Sequence, residues 1–290
     1  MGNLLFYFWA FALAFVLTAI FSPIFCHSFA TILGDKPTTL KNHKGIVPLV
    51  GGLSIFIGFL VSLIFIRLNT NFPSGTLHNL RGILLGASII FILGLIDDLR
   101  KPKGLSALLK LLFQIIASCC LIYFNVKIQF LPSPIAEILT ILWVCGMTNA
   151  FNLLDIQDGL AGFQALLSAS AFLIISLPSE NIYVNFLAIA LMGSVLGFLP
   201  YNFATKYKSF LGDSGSTLLG FLLSALALGT DYSANNTLAV FVPILILFFP
   251  LFDTCFVSIV KKTSNARKIK RRVRKISFDV TPVKRRVSLE

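Results

Sequence analysis

The chain has 290 residues, of which 56% are hydrophobic and only 12% charged, and its formal net charge is +12. A soluble domain carries about 25% charged residues, so this composition excludes an ordinary soluble globular protein. It predicts an all-α membrane protein, because apolar stretches of roughly 20 residues, each long enough to cross a bilayer as a helix, recur along the sequence.

Nine candidate transmembrane helices follow one another from the amino terminus. We predict a polytopic bundle that forms one membrane domain over residues 1–260. Its first segment reads as a retained span and not as a signal peptide, because it lacks a basic start. The nine predicted spans cover approximately residues 4–25, 47–66, 81–96, 106–125, 135–151, 160–177, 182–200, 215–230 and 237–260.

Basic residues are concentrated in alternate loops, and this asymmetry gives the predicted orientation. Lys and Arg are frequent after the first, third and seventh spans and beyond the ninth, whereas the loops on the other side hold few. Loops rich in Lys and Arg stay in the cytoplasm. We therefore predict an outside amino terminus and a cytoplasmic carboxyl terminus.

Residues 261–290 carry most of the positive charge and form the predicted basic cytoplasmic tail. The simplest interpretation is a segment held at the membrane surface by anionic lipids. Contact with a substrate phosphate is the alternative interpretation. We expect no nucleic-acid partner.

Five aspartates lie at the ends of predicted spans, all on the predicted cytoplasmic side: Asp97, Asp98, Asp155, Asp158 and Asp213. Acidic side chains are costly in so apolar a chain, so their shared side predicts one cleft that binds metal and phosphate. Helix capping or an interhelical hydrogen-bond network remains an alternative for each group. A transporter is a remote alternative, because transport sites lie near the bilayer midplane.

Spacing within the first two acidic groups indicates how they are arranged. Neighbouring side chains on a helix point about 100° apart, so one of Asp97 and Asp98 can face a metal while the other orients a base or substrate. A second group has polar residues three positions apart, which would share one face if that segment is helical. Its members are Asn149, Asn152, Asp155 and Asp158.

The third acidic group, residues 210–216, immediately precedes an apolar span. Its Gly and Ser residues can leave backbone amides available for phosphate at a helix start. Asp213 lies among them and supplies a hard oxygen ligand of the kind that magnesium prefers.

Together these segments resemble the polyprenyl-phosphate N-acetylhexosamine-1-phosphate transferase family, glycosyltransferase family 4. The resemblance covers about residues 1–260. Four family motifs match in order, namely residues 43–52, residues 94–98 with Lys110 and Gln114, residues 149–159, and Asn202 with residues 210–216.

The resemblance implies a multi-pass enzyme of the bacterial cytoplasmic (inner) membrane, with its active site on the cytoplasmic side. Such an enzyme transfers a sugar 1-phosphate from a UDP-sugar to undecaprenyl or another polyprenyl phosphate and releases UMP. This is the first membrane step of cell-envelope glycan synthesis. The reaction depends on Mg²⁺, with Mn²⁺ as a substitute.

Residue roles are also implied by the resemblance. Asp213 and Asp97 would bind the metal, and the catalytic pair Asp97 and Asp98 would contact metal or deprotonate the acceptor phosphate. The substrate-binding residues would be Lys44, Lys110, Asn149, Asn152, Asp155, Asp158, Asn202 and Phe210.

Residues 45–48 lack the Thr-Pro-Thr-Met run expected in the pentapeptide-bearing transferase. Their sequence favours the N-acetylglucosamine type, which initiates O-antigen, teichoic acid or related polymers. Phospho-MurNAc-pentapeptide transferase is the alternative activity.

The chain departs from the family pattern at three places. Ile156 replaces a usual Gly, Lys101 replaces the last acid of the aspartate-rich motif, and residues 277–286 lack the family's histidines. The tail is therefore predicted to be a remnant of the last cytoplasmic loop. A truncated or inactive relative that binds lipid phosphate or a partner remains an alternative, and a homodimer is a further hypothesis.

Overall fold

A computed structural model describes residues 2–35, 45–70, 74–179, 182–230 and 241–260. Over these residues the secondary structure is α-helical apart from one 3-10 turn, Leu177–Ser179, and one short antiparallel pair, β1 (Gly34–Asp35) and β2 (Val47–Pro48). The helices are α1 (Gly2–Ser28), α2 (Gly51–Asn69), α3 (Ser74–Leu99), α4 (Ala107–Tyr123), α5 (Ile135–Leu154), α6 (Leu160–Ser176), α7 (Ile182–Phe203), α8 (Gly212–Gly229), α9 (Val242–Ile246) and α10 (Phe248–Val260).

Five of these helices, α1, α2, α3, α5 and α7, are long and apolar enough to cross a membrane. Helices α4, α6 and α10 are apolar but shorter. The prediction of an all-α membrane protein is thereby confirmed. The count of nine spans and the orientation stay predictions.

Helix α8 lies at the centre of the bundle, packed against α3, α5 and α2. Within it only Asp213 and Leu228 escape full burial. Small residues let the neighbouring helices approach α8 closely. A Cβ added at Gly94 of α3 would lie 2.5 Å from the Cα of Ser214. A Cβ added at Gly220 would lie 2.5 Å from the carbonyl oxygen of Met147 on α5. Such close backbone packing is typical of helices in membranes, where lipid offers no hydrophobic drive for helix association.

Helices α1, α2 and α7 pack together beside this centre. A Cβ added at Gly193 or Gly197 of α7 would lie 2.5 Å from a backbone carbonyl of α1. The hydroxyl of Ser62 on α2 donates a 2.6 Å hydrogen bond to the carbonyl of Ala10 on α1. The first helix is therefore held by backbone contact as well as by apolar packing.

Backbone hydrogen bonds join the segment before α2 to the segment before α8. The amide of Phe210 donates to the carbonyl of Pro48 at 2.9 Å, and the amides of Gly51 and Gly52 donate to the carbonyls of Phe210 and Leu211 at 3.0 and 2.9 Å. These bonds fix the amino-terminal ends of α2 and α8 side by side. Asp97, Asp98 and Asp213 form ion pairs with Lys101 and Lys110 at this end of the bundle.

The ninth predicted span is not one continuous helix over its described residues. Its described part is divided between α9 and α10, with Leu247 between them. Pro250 in α10 has no amide hydrogen, so it cannot donate to the carbonyl of Ile246 four residues earlier. That carbonyl instead accepts a 3.5 Å hydrogen bond from Ser168 on α6.

Candidate active site

The last turn of α3 meets the first turn of α8 through Asp98. The two carboxylate oxygens of Asp98 accept hydrogen bonds of 2.9 Å from the backbone amides of Asp213 and Ser214. The N-cap residue of α8, Leu211, supplies no side-chain hydrogen bond to the first turn of the helix. Asp98 thus supplies the negative charge and the acceptors that a helix amino terminus favours.

Gly212 makes this contact geometrically feasible. Its φ of +74° is a left-handed conformation that residues with a side chain rarely adopt. A Cβ at this position would also lie 2.6 Å from Oδ2 of Asp98. Glycine is therefore required here for both conformation and space.

Two lysines bind Asp213 from opposite sides of its carboxylate. Lys101 Nζ lies 3.0 Å from Oδ1 of Asp213 and 2.8 Å from Oδ1 of Asp98. Lys110, in the first turn of α4, lies 2.8 Å from Oδ2 of Asp213 and 2.5 Å from Oδ2 of Asp97. Burial alone would lower the pKa of Lys101, but the charges of Asp98 and Asp213 raise the pKa above its usual value, so Lys101 is a cation at neutral pH.

Asp97 is the acid of α3 that lines a cavity. Besides Lys110, it accepts a 2.5 Å hydrogen bond from the amide of Leu105. The adjoining small, partly open cavity is bounded by Asp97, Lys110, Asp213, Gln114 and Thr217 together with apolar residues of α3. Asp98 does not line it, since both of its oxygens face α8.

Amide side chains tie α5 to its neighbours next to this cavity. Asn149 and Gln114 exchange two hydrogen bonds, of 2.8 Å from Asn149 and 3.2 Å from Gln114. Asn152 donates to the hydroxyl of Ser216 on α8 at 3.0 Å. The two predicted substrate-binding asparagines of α5 therefore hold helices together in this structure.

The predicted helical stripe of four polar residues is wrong for its last two members. Helix α5 ends at Leu154, so Asp155 and Asp158 lie in the following turn. Burial of the carboxyl group raises the pKa of Asp155 to about 7, although the residue as a whole is only half-buried. Asp158 is exposed and forms a 2.5 Å ion pair with Lys208 in the α7–α8 loop.

Asn202 joins the same two loops through backbone contacts. Its side-chain oxygen accepts a 2.6 Å hydrogen bond from the amide of Gly159, and its side-chain nitrogen donates to the carbonyl of Ser209 at 2.9 Å. Lys208 also lies 5.5 Å from the ring centre of Phe210. Asp158, Asn202 and Phe210 are thus brought to one loop cluster, whereas Lys44 lies outside the described residues.

The amides expected to receive phosphate at the start of α8 already have an acceptor. Asp213 and Ser214 donate their amides to Asp98, so the expectation that they are available is wrong. Among the described residues no group of three His, Cys, Asp or Glu side chains forms a ready metal cage. Mg²⁺ commonly uses only one or two carboxylates plus waters and substrate phosphates, and the Asp97 and Asp213 oxygens that share Lys110 supply that kind of donor set.

Two lysines of the site were not predicted as site residues. Lys101 was recognised only as a departure from a motif, although its position three residues after Asp98 is a spacing at which helix-end side chains meet. Lys208 carried no signal beyond its position two residues before Phe210.

A model of the family described as glycosyl transferase family 4 matches residues 80–231, which run from α3 to α8. The matched range contains the acid–lysine cluster, which consists of Asp97, Asp98, Lys101, Lys110 and Asp213. This match covers more than half of the chain. The chain belongs to glycosyl transferase family 4.

Individual members of the family support the same assignment. A Bacillus subtilis protein named probable undecaprenyl-phosphate N-acetylglucosaminyl 1-phosphate transferase is 34% identical over 81% of this chain and 65% of its own length. A Yersinia pestis protein named undecaprenyl-phosphate alpha-N-acetylglucosaminyl 1-phosphate transferase is 27% identical over 87% of this chain and 69% of its own length. A Streptococcus agalactiae phospho-N-acetylmuramoyl-pentapeptide-transferase is 32% identical over 74% of this chain and 70% of its own length.

The chain therefore spans about two thirds of the length of these family members. The resemblance inferred from the four motifs is confirmed at the level of the family. Two of the four motifs, residues 94–98 with Lys110 and residues 210–216, supply Asp97, Asp98, Lys110 and Asp213 to the ion pairs of the acid–lysine cluster, and Lys101 supplies the remaining partner.

Proposed function

We propose that this chain transfers N-acetylglucosamine 1-phosphate from UDP-N-acetylglucosamine to undecaprenyl phosphate and releases UMP. The names of the Bacillus and Yersinia relatives support the sugar and the lipid acceptor. The observation that carries the proposal is the convergence of Asp97 and Asp213 on Lys110 at the edge of the cavity.

The chemistry of the transfer explains why such a cluster is needed. An oxygen of the lipid phosphate attacks the phosphorus that bears the sugar, and the bond from that phosphorus to the UMP oxygen breaks. Both reactants are anions, so cations must offset their repulsion and the charge that develops on the leaving oxygen. Mg²⁺, or Mn²⁺ in its place, would supply most of that charge and would be held by Asp213 and Asp97.

The two adjacent acids of α3 are proposed to have different roles. Asp97 lines the cavity and can reach the acceptor phosphate or the metal. Asp98 is fully buried against the start of α8, where it fixes the position of Asp213. Lys110 lies between Asp97 and Asp213 and can bind a substrate phosphate.

The loop cluster is proposed to bind the nucleotide. Asp158, Lys208 and Phe210 present a carboxylate, an ammonium group and an aromatic ring at the same end of the bundle as the acids. We place this end at the cytoplasmic face of a bacterial inner membrane, in a nine-span topology, because the basic loops favour that orientation.

The proposal is tested with purified protein, radiolabelled UDP-N-acetylglucosamine, undecaprenyl phosphate and Mg²⁺, followed by extraction of the product into organic solvent. Wild-type protein should produce a labelled lipid, and Asp213→Asn should lose at least about a hundredfold in rate, the order expected when a main electrostatic group is removed. Absence of labelled lipid from the wild type, while an active family member run in parallel produces it, would contradict the proposal. That outcome favours an inactive relative that binds lipid phosphate.

The second candidate is phospho-MurNAc-pentapeptide transfer, which the 32% identity to the Streptococcus protein favours. The same extraction assay with UDP-MurNAc-pentapeptide distinguishes the two activities. Label from only one of the two donors identifies the substrate.

A further inference from the structure

Both oxygens of the Asp213 carboxylate are bound by lysines in this structure. Lys101 contacts Oδ1 at 3.0 Å and Lys110 contacts Oδ2 at 2.8 Å. Asp213 is the residue to which the proposed function assigns the metal. A divalent cation at the same carboxylate would be repelled by both ammonium groups, so direct binding of the cation favours the displacement of one lysine.

The two lysines differ in what their removal would leave behind. Without Lys101, Asp98 would still accept hydrogen bonds from the amides of Asp213 and Ser214 at the start of α8. Without Lys110, Asp97 would keep the single amide of Leu105. A buried carboxylate that loses its partners destabilises the protein. Displacement of Lys101 by the cation therefore costs less free energy than displacement of Lys110.

The charges of the cluster point to the same lysine. Asp97, Asp98 and Asp213 contribute three negative charges, and Lys101 and Lys110 contribute two positive ones. A divalent cation added to this set would leave an excess positive charge. The same cation in place of Lys101 would leave the cluster neutral.

We propose that Lys101 is a built-in counterion of Asp213 that leaves this carboxylate when a divalent cation binds. Lys101 is three residues beyond Asp98, and its side chain is 28% exposed, so the ammonium group can move towards solvent without displacing a helix. Lys101 then lowers the affinity for metal, and it limits repulsion among the three acids when no metal is bound. This inference rests on the magnesium site of the proposed function.

Mn²⁺ binding without substrate tests the inference directly. Free Mn²⁺ is measured by its electron paramagnetic resonance signal during titration of the purified protein in detergent. Lys101→Gln should bind Mn²⁺ about tenfold more tightly than wild type, because a unit charge next to the ligand has been removed. Lys101→Arg keeps the charge and should bind about as weakly as wild type.

Lys103→Gln is the matched control, because it removes the same charge from the same loop. Lys103 is exposed and forms no ion pair with any residue in the described ranges. Lys103→Gln should bind Mn²⁺ like the wild type. Equal affinity in Lys101→Gln and wild type, or no saturable binding by Lys101→Gln, would overturn the inference.

A second measurement separates metal competition from a merely structural role of Lys101. In EDTA, Lys101→Gln should unfold at a lower temperature than wild type, and saturating Mn²⁺ should raise its midpoint by more than it raises that of wild type. Asp213→Asn should abolish both the added stabilisation and the Mn²⁺ binding. Failure of the transfer assay contradicts the proposed function alone, since the Mn²⁺ titration contains no substrate.

Discussion

Asp98 accepts a 2.9 Å hydrogen bond from the backbone amide of Ser214, a residue 116 positions further along the chain. A second bond from the amide of Asp213 completes the contact. The position of Asp213 therefore depends on a carboxylate of another helix. Because Asp98 and Ser214 are both buried, the stability of the bundle and the geometry of the site depend on the same contact.

Asp98→Ala should destabilise the protein markedly. The substitution leaves two buried amides at the start of α8 without an acceptor, at an expected cost of roughly 2–4 kcal/mol. The measurement is the thermal midpoint in detergent. Asp158→Ala serves as a control, because an exposed ion pair contributes about 0–1 kcal/mol, and equal midpoint shifts in the two variants would count against the capping role.

Gly212→Ala should also destabilise the protein and lower turnover. The left-handed backbone at this residue costs about 1–2 kcal/mol for alanine, and the added methyl group would press on the Asp98 carboxylate. The matched control is Gly146→Ala on α5, where a Cβ meets nothing within 4 Å. Gly146→Ala should leave stability unchanged or slightly raised, since alanine favours helices over glycine.

The Gln114–Asn149 pair should give a measurable coupling energy. We expect about 0.6–1.7 kcal/mol from a double-mutant cycle of Gln114→Met and Asn149→Leu, the range of interhelical hydrogen bonds in membrane proteins. Unfolding free energies are measured by titration with a denaturing detergent. A parallel cycle of Gln114→Met with Gln164→Met on α6 should be additive, and the same coupling in both cycles would refute a direct bond.

Asp155 should make stability fall as pH rises. Its pKa is raised to about 7 by burial, so between about pH 4 and pH 7 the folded protein keeps a proton that the unfolded chain releases. The folded state binds more protons in this window, and the contribution of Asp155 to stability therefore declines with increasing pH. Asp155→Asn should flatten this part of the curve of thermal midpoint against pH, and an unchanged curve in this variant would contradict the prediction.

Much of the architecture could be predicted from apolar segment lengths. Helices α1 to α8 occur where the first eight spans were expected, because a bilayer-length apolar run has few alternatives to a helix. The break between α9 and α10 was missed although Pro250 marks it, since proline is tolerated in membrane helices and hydropathy alone does not register it.

The candidate site was predicted in its members but not in its contacts. Motif order brought together Asp97, Asp98 and Asp213, and the structure places them in one cluster. The ion pairs of Lys101 depend on how the chain turns after α3, and the spacing of apolar residues in the sequence does not predict that turn. Likewise, whether Asp155 continues a helix depends on where α5 ends, and sequence patterns place helix ends only to within a few residues.

Helix α8 combines deep burial with a polar beginning, and this has a consequence for biogenesis. Helix α8 is not among the five helices that are long and apolar enough to cross a membrane. Almost all of its residues are buried against other parts of the protein. We expect α8 to partition less favourably into lipid on its own than the five long apolar helices. We therefore expect the stable integration of α8 to depend on its packing against α3 and α5, which precede it in the chain.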